Sequence, residues 1–229
     1  MELPFQILYE DNHLIVVNKP AGMLVQGDRT GIDSLVEICK NFIRIKYNKP
    51  GNVFLGLTHR LDRPVSGVVV LTKTSKALER INQLFRQKEI EKIYWALTTV
   101  SPPEIKGRLT HWLVKDHRKN IVRAYNKKRK DAVKAELEYN LIGKIADEYL
   151  LEIKLITGRS HQIRVQLKSM GCPIIGDVKY GFNTANNDGS ICLHAKKLIL
   201  LHPVKKEHMI FEAPLPESNW HNFHSFDAN

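Results

Sequence analysis

The stretch that decides the fold reads His59-Arg60-Leu61-Asp62-Arg63-Pro64, and it is followed by Ser66-Gly67 and Val68-Val69-Val70-Leu71. The apolar run predicts a buried strand, and the charged residues before it predict a turn at its entrance. Asp62 then lies at a sheet edge, where two flanking guanidinium groups favour its ionised form and it could act as a nucleophile or base. Alternatively, these charges form surface ion pairs of small energetic value.

Local patterns on both sides of this stretch predict further elements. Upstream, Leu14-Ile15-Val16-Val17 reads as a buried strand. Ser34 and Glu37 form a capping box. The stripe after it predicts a helix that buries Leu35, Ile38, Phe42 and Ile45. A second helix is predicted from Ser75.

Downstream, two strands and a third helix are predicted. The strands cover residues 92–100 and 149–156, and Thr157-Gly158-Arg159-Ser160 is a glycine turn that opens the helix. The elements interleave irregularly, with no repeated strand-helix-strand period and no Gly-x-Gly-x-x-Gly motif. We therefore expect one α+β domain over residues 1–229, with a mixed, mainly antiparallel β-sheet and flanking helices.

Composition restricts the class of protein. Hydrophobic residues at 43% and charged residues at 26% are ordinary for a globular chain of 229 residues, which argues against disorder and membrane insertion. The three cysteines form no Cys-x-x-Cys pair, so neither a disulfide framework nor a metal site is expected. No basic and apolar leader opens the sequence. We expect a cytoplasmic monomer with no membrane partner.

A strong positive charge indicates a polyanionic partner. The net charge is +11, and residues 115–134 alone carry nine basic residues against two acidic ones. The densest part of this segment is Lys127, Lys128, Arg129 and Lys130. The segment is either a solvated hairpin or an arm that contacts nucleic-acid phosphates.

Several motifs follow one another in a fixed order along the chain. They are residues 11–22, His59-Arg60-Leu61-Asp62 with Ser66-Gly67, Glu91-Lys92-Ile93-Tyr94-Trp95-Ala96, residues 157–164, residues 171–177 and Leu193-His194-Ala195. Together they resemble the RluA-type RNA pseudouridine synthases. One such block would be a weak signal, but this series covers nearly the whole chain. The resemblance implies the pseudouridine synthase fold and an isomerase acting on RNA without a cofactor. Within this family, the chain resembles the members that have no N-terminal S4 RNA-binding domain.

The resemblance also implies roles for individual residues. Asp62 matches the catalytic aspartate, and Arg60 matches the arginine that enters the helix in place of the extracted uridine. Tyr94 matches the tyrosine that packs against the target ring, and Arg164 the arginine that pairs with the catalytic carboxylate. Further candidates for base flipping and RNA binding are His59, Arg63, Arg159, His161, Lys127, Lys128, Arg129 and Lys130.

The expected function is isomerisation of specific uridines in ribosomal or transfer RNA to pseudouridine, with ribosomal or transfer RNA as the partner. The alternative is a non-catalytic RNA-binding protein or ribosome-assembly factor on the same fold, which would have no need of Asp62, Tyr94 and Arg164 together. A hydrolase with paired carboxylates would need a second acid. Asp177 is the one candidate, and we interpret it as turn-forming.

Overall fold

A computed structural model describes residues 3–27 and 31–227. The chain divides into two compact units, the first made of Met1–Ile90 and Ala195–Pro214 and the second of Glu91–His194 and Leu215–Asn229. The single domain expected over residues 1–229 stays a prediction. None of the helices in the described ranges is long and apolar enough to span a membrane.

Eleven strands and four α-helices are present in the described residues. The strands are β1 (Gln6–Glu10), β2 (Leu14–Lys19), β3 (Gly56–Leu57), β4 (Ser66–Thr72), β5 (Glu91–Thr98), β6 (Lys106–Asp116), β7 (Ile121–Tyr125), β8 (Val133–Ile145), β9 (Glu148–Leu155), β10 (Leu193–Leu201) and β11 (His208–Glu212). The helices are α1 (Leu35–Lys46), α2 (Ser75–Gln87), α3 (Gln162–Ser169) and α4 (His224–Asp227).

The first unit is built around the strand that the opening motif predicts. β4 is buried along its whole length and lies between β2, which is antiparallel to it, and β10. β1 extends this sheet beside β2, and β11 extends it beside β10. One cluster of buried residues joins β2, β4 and β10 to α2 through Ile81. The buried strand predicted at residues 68–71 is therefore confirmed.

Helix α1 begins where its cap predicts but buries a different face. The Ser34 side chain accepts a hydrogen bond from the Glu37 backbone N–H at 3.4 Å. The buried residues after it are Val36, Cys39 and Ile43, in addition to Leu35. Of the predicted stripe, Ile45 is 57% exposed. The predicted stripe is confirmed at Leu35, is only partly buried at Ile38 and Phe42, and is wrong at Ile45. The helix carries two adjacent apolar stripes with the same spacing, and contacts with the core favour the second.

The second unit contains an antiparallel sheet in the order β5-β9-β8-β6-β7. Helix α3 packs on one face of this sheet in a cluster that contains Leu113, Val122, Ala135, Val165 and Tyr180. The charge-rich segment 115–134 forms the β6–β7 hairpin and the connection to β8. Mainly antiparallel sheets with few helices confirm the expected α+β class.

Candidate active site

The turn that carries Asp62 is tied to β4 at its beginning. The Thr58 hydroxyl donates to the Val70 carbonyl at 2.6 Å, and His59 Nε2 accepts a hydrogen bond from the Val70 N–H at 3.1 Å. Both backbone groups of one β4 residue are thus bound by side chains that directly follow β3. The His59 ring also contacts Phe85, with ring centroids 5.6 Å apart. His59 therefore fixes the entrance of the turn.

After Asp62, the same turn is bound to the segment that follows β2. The Gly22 N–H donates to the Arg63 carbonyl at 2.8 Å, and Arg63 Nε donates to the Gly22 carbonyl at 2.9 Å. Leu61 and Val65, on either side of Asp62, are buried. Asp62 itself is partly exposed on a turn with both ends fixed, which is the geometry that a positioned carboxylate requires.

Gly67, just after the turn, lets β10 approach β4. Its φ is +117°, and a Cβ at this position would lie 2.3 Å from the Ala195 carbonyl oxygen. No other residue fits there without moving a strand, because the nearest atoms belong to backbone. This explains the glycine of the Ser66-Gly67 pair of the motif.

Lys19 is a part of this site that the sequence analysis missed. Its side chain is fully buried, and its ammonium donates to the carbonyls of Pro20 and Met23 at 2.9 Å each and of Arg63 at 3.4 Å. Burial lowers the pKa of Lys19 to about 7, and the negative charge of Asp62 offsets only part of that effect. The Lys19 side chain thus holds the Asp62 turn through the Arg63 carbonyl, and its protonated form contributes positive potential at the Asp62 carboxylate.

In the second unit, the glycine turn before α3 folds around Gln162. The buried Gln162 side chain accepts from the Thr157 hydroxyl at 2.8 Å and from the Arg159 N–H at 3.0 Å, and it donates to the Glu136 carbonyl at 3.0 Å. The Thr157 hydroxyl also accepts from the Glu136 N–H at 2.8 Å. The turn is therefore fixed to β8, and the Arg159 side chain lies exposed on it.

Arg164 is held in a buried ion pair on α3. Its Nε and Nη2 donate to the two carboxylate oxygens of Asp177 at 2.7 and 2.8 Å, and its guanidinium lies 4.9 Å from the centre of the Tyr180 ring. The side chains of Arg164 and Asp177 are 6% and 1% exposed. Asp177 also accepts the backbone N–H of Tyr180, so the turn-forming interpretation was incomplete. Asp177 orients the guanidinium of Arg164 as well.

Tyr94 lies on β5 opposite Ile153 of β9 and is 8% exposed. Lys92 is two residues earlier, so its side chain projects to the same face of β5. Burial lowers the pKa of Lys92. The Lys92 ammonium lies 3.1 Å from the position that a Cβ at Gly158 would occupy, so Lys92 of β5 approaches the turn before α3.

Apart from Tyr94 on β5, the predicted site residues fall into three groups. His59, Arg60, Asp62 and Arg63 share one turn of the first unit, where Arg60 and Arg63 are exposed. Arg159, His161 and Arg164 surround the start of α3 in the second unit, and the His161 Nδ1 is 2.6 Å from the Tyr180 hydroxyl. The third group lies on the β7–β8 connection and comprises Lys127, Lys128, Arg129 and Lys130, all exposed. In the described parts of the chain, no group of three or more His, Cys, Asp or Glu side chains could hold a metal ion.

Comparison with known proteins identifies the family of the chain. Residues 13–169 match the RNA pseudouridylate synthase family. The chain is 34% identical, over 91% of its length, to the ribosomal large subunit pseudouridine synthase C of Buchnera aphidicola, and 35% identical, over 93%, to an uncharacterized RNA pseudouridine synthase of Synechocystis. It spans 66% of the length of each relative.

A solved structure gives the same result for the fold. Human RNA pseudouridylate synthase domain containing 4 superposes with a TM-score of 0.78 at 27% identity, covering 96% of this chain and 92% of the human one. Fold, motifs and family match agree over most of the sequence. The chain therefore belongs to the RNA pseudouridylate synthase family.

Proposed function

We propose that this protein converts uridine to pseudouridine in RNA and that Asp62 is its essential carboxylate. The observation that carries the proposal is the Asp62 turn, which is fixed by Val70 at one end and by Gly22 and Lys19 at the other. A surface ion pair of the kind considered above has no need of such support. A reacting carboxylate does, because catalysis depends on holding the group in one geometry.

The chemistry fits a chain that works with side chains alone. The N1–C1′ bond of the nucleoside breaks, the base turns, and C5 bonds to C1′. The hydrogen on C5 leaves as a proton and N1 takes up a proton, so the product has the same atoms as uridine. The reaction involves no net redox change and no phosphoryl transfer. A carboxylate can attack C1′ or C6, or remove a proton from the ribose, and these three routes remain open.

Access to the target requires base flipping, because a stacked uridine cannot reach a carboxylate on the protein. Extrusion costs a few kcal/mol of lost stacking and pairing, and side chains that replace the base recover part of it. We assign this role to Arg60, which is exposed beside Asp62. We further propose that Tyr94 packs against the uracil ring and that Arg164 keeps the catalytic carboxylate ionised. The Asp177 pair supports the second role by fixing the guanidinium.

The partner we propose is ribosomal RNA, with transfer RNA as the alternative that the experiment below separates. The name of the Buchnera relative, a large-subunit pseudouridine synthase, supports the first choice. We propose that the exposed basic residues 127–130 contribute to RNA binding. We also propose that His59 and His161 contribute to it indirectly, by fixing the conformation of the turns to which they belong. A cytoplasmic monomer remains our proposal for its location and state.

The test is to delete the gene in its host and map pseudouridines in ribosomal and transfer RNA by chemical modification and arrest of reverse transcription. Wild-type protein should restore any site that disappears, and Asp62→Asn should not. Asp147→Asn, on the exposed β8–β9 turn, is the matched control and should restore the site. An unchanged pseudouridine map, or restoration by Asp62→Asn, would overturn the proposal.

A further inference from the structure

The sheet of the second unit has one covered face and one open face near β7. On the covered face, Leu113, Val122 and Ala135 are at most 3% exposed and pack with residues of the α3 region. Since side chains alternate along a strand, Trp112 and Tyr125 project to the opposite face, and both are partly exposed. The open face is therefore where two large aromatic side chains meet solvent.

The two aromatic residues form a direct cross-strand pair. Trp112 of β6 is opposite Tyr125 of β7 on one side and opposite Lys134 of β8 on the other. Residues paired in this way have Cβ atoms about 5 Å apart. The two side chains thus start from adjacent positions of one row that crosses three strands.

A cation lies over each ring. Lys128 Nζ is 5.7 Å from the centre of the Trp112 ring, and Arg129 Cζ is 4.0 Å from the centre of the Tyr125 ring. Both cations are exposed and belong to the β7–β8 connection. Arg123, exposed on β7 two residues before Tyr125, adds positive charge to the same face. Rings and cations together make a surface that is both aromatic and basic.

We propose that this open face, defined by Trp112, Tyr125, Arg123, Lys128 and Arg129, binds single-stranded RNA by stacking two successive bases on the Trp112 and Tyr125 rings. When RNA binds, the Lys128 and Arg129 side chains leave the ring faces and pair instead with the phosphates of the two bound nucleotides. The exchange is favourable because base stacking on an aromatic ring is stronger than an exposed cation–π contact, and the phosphates keep the cations paired. The inference rests on the proposed function only in taking RNA as the ligand.

Single-stranded RNA is the chemistry that this surface fits. In a duplex both faces of each base are covered by neighbouring bases, so a ring on a protein surface finds no base face to contact. A purely electrostatic site would need the cations but not the rings beneath them. The open face therefore selects unpaired nucleotides rather than a helical stem.

Fluorescence of the full-length protein tests this inference. The chain has three tryptophans, of which Trp95 and Trp220 are buried, so Trp112 is the one that a stacked base reaches. We expect single-stranded oligouridylate to quench the emission, and Trp112→Phe to remove the quenching. Duplex RNA and dextran sulfate should bind without comparable quenching.

Affinity provides the second readout. Trp112→Ala and Tyr125→Ala should each weaken oligouridylate binding about tenfold. Tyr149→Ala is the matched control, because Tyr149 also has a lysine ammonium, that of Lys144, 5.2 Å from its ring centre but lies outside the open face. The Tyr149→Ala variant should bind oligouridylate with the wild-type affinity. Melting temperatures of all variants establish that they are folded.

The outcomes separate this inference from the proposed function. Unchanged affinity and quenching in the Trp112 and Tyr125 variants, with pseudouridine formation intact, would overturn the stacking surface and leave the function standing. Equal quenching by dextran sulfate would overturn it as well, by showing that charge alone suffices. A wild-type protein that forms no pseudouridine in any RNA would instead overturn the proposed function.

Discussion

The buried pair between Arg164 and Asp177 leads to a quantitative stability prediction. Both side chains are almost fully buried, and two hydrogen bonds of 2.7 and 2.8 Å join them. Asp177→Asn removes the negative charge but keeps the size of the side chain, which leaves a guanidinium in the interior without that countercharge. Removing one partner of a buried pair costs about 3–5 kcal/mol. For a chain of this size the melting temperature should fall by about 6–20 °C.

Urea and thermal unfolding followed by circular dichroism measure this loss. Asp147→Asn makes the same chemical change at an exposed turn and should leave the free energy of unfolding within about 0.5 kcal/mol of the wild type. The double variant Arg164→Met with Asp177→Leu should recover much of the loss, because apolar residues of similar volume can replace a buried pair. A loss below about 1 kcal/mol in Asp177→Asn would refute the reasoning.

Three further predictions concern pH and salt. Because the pKa of Lys19 is lowered to about 7 from 10.5, the free energy of unfolding should rise with pH between these values, and pH titration of unfolding should show that Lys19→Met loses this rise. Burial raises the pKa of Asp11, but hydrogen bonds from the His13 and Leu14 N–H groups and the Tyr9 hydroxyl, together with nearby His202, outweigh it and bring the pKa to about 2 from 3.8. The resulting stability is present above pH 3.8 and lost as pH falls towards 2. The free energies of unfolding of Asp11→Asn and the wild type should therefore differ above pH 3.8 and become equal near pH 2. A difference that stays constant over this range would contradict the prediction. RNA affinity should fall steeply as the salt concentration rises. The slope of log affinity against log salt should decrease by up to about 3 in the quadruple variant Lys127→Gln, Lys128→Gln, Arg129→Gln, Lys130→Gln. The charge-matched control Lys49→Gln, Lys76→Gln, Arg86→Gln, Lys206→Gln should keep the wild-type slope, and equal slopes in the two variants would show that residues 127–130 do not contact RNA.

The parts of the fold that could be predicted from the sequence are those whose signals lie within a few consecutive residues. The cap at Ser34 and the apolar run at residues 68–71 identify α1 and β4, since both signals arise within a few residues. Gly171, with φ of +87°, follows the end of α3 in the left-handed conformation that is typical of a glycine after a helix. The buried face of α1 could not be predicted, because two stripes fit the helical period equally and only the core decides.

The site shows the same division between local and distant information. The turn around Asp62 is visible in the sequence because its charges, proline and glycine are adjacent. Lys19 gives one local signal, a lysine that ends an apolar strand before Pro20, but its contact with the Arg63 carbonyl joins residues 44 apart. The pairing of Arg164 with Asp177 likewise follows no sequence spacing. Such contacts appear only when the chain is folded.

The most direct test of the central claim is the release of tritium from RNA labelled at C5 of uridine, because joining C5 to C1′ expels the hydrogen from C5. Purified wild-type protein should release tritium from its RNA. Asp62→Asn should bind the same RNA within a few-fold of the wild-type affinity and release tritium only at the background rate. Sustained release by Asp62→Asn would contradict the account, because the carboxylate held by the fixed turn would then be dispensable.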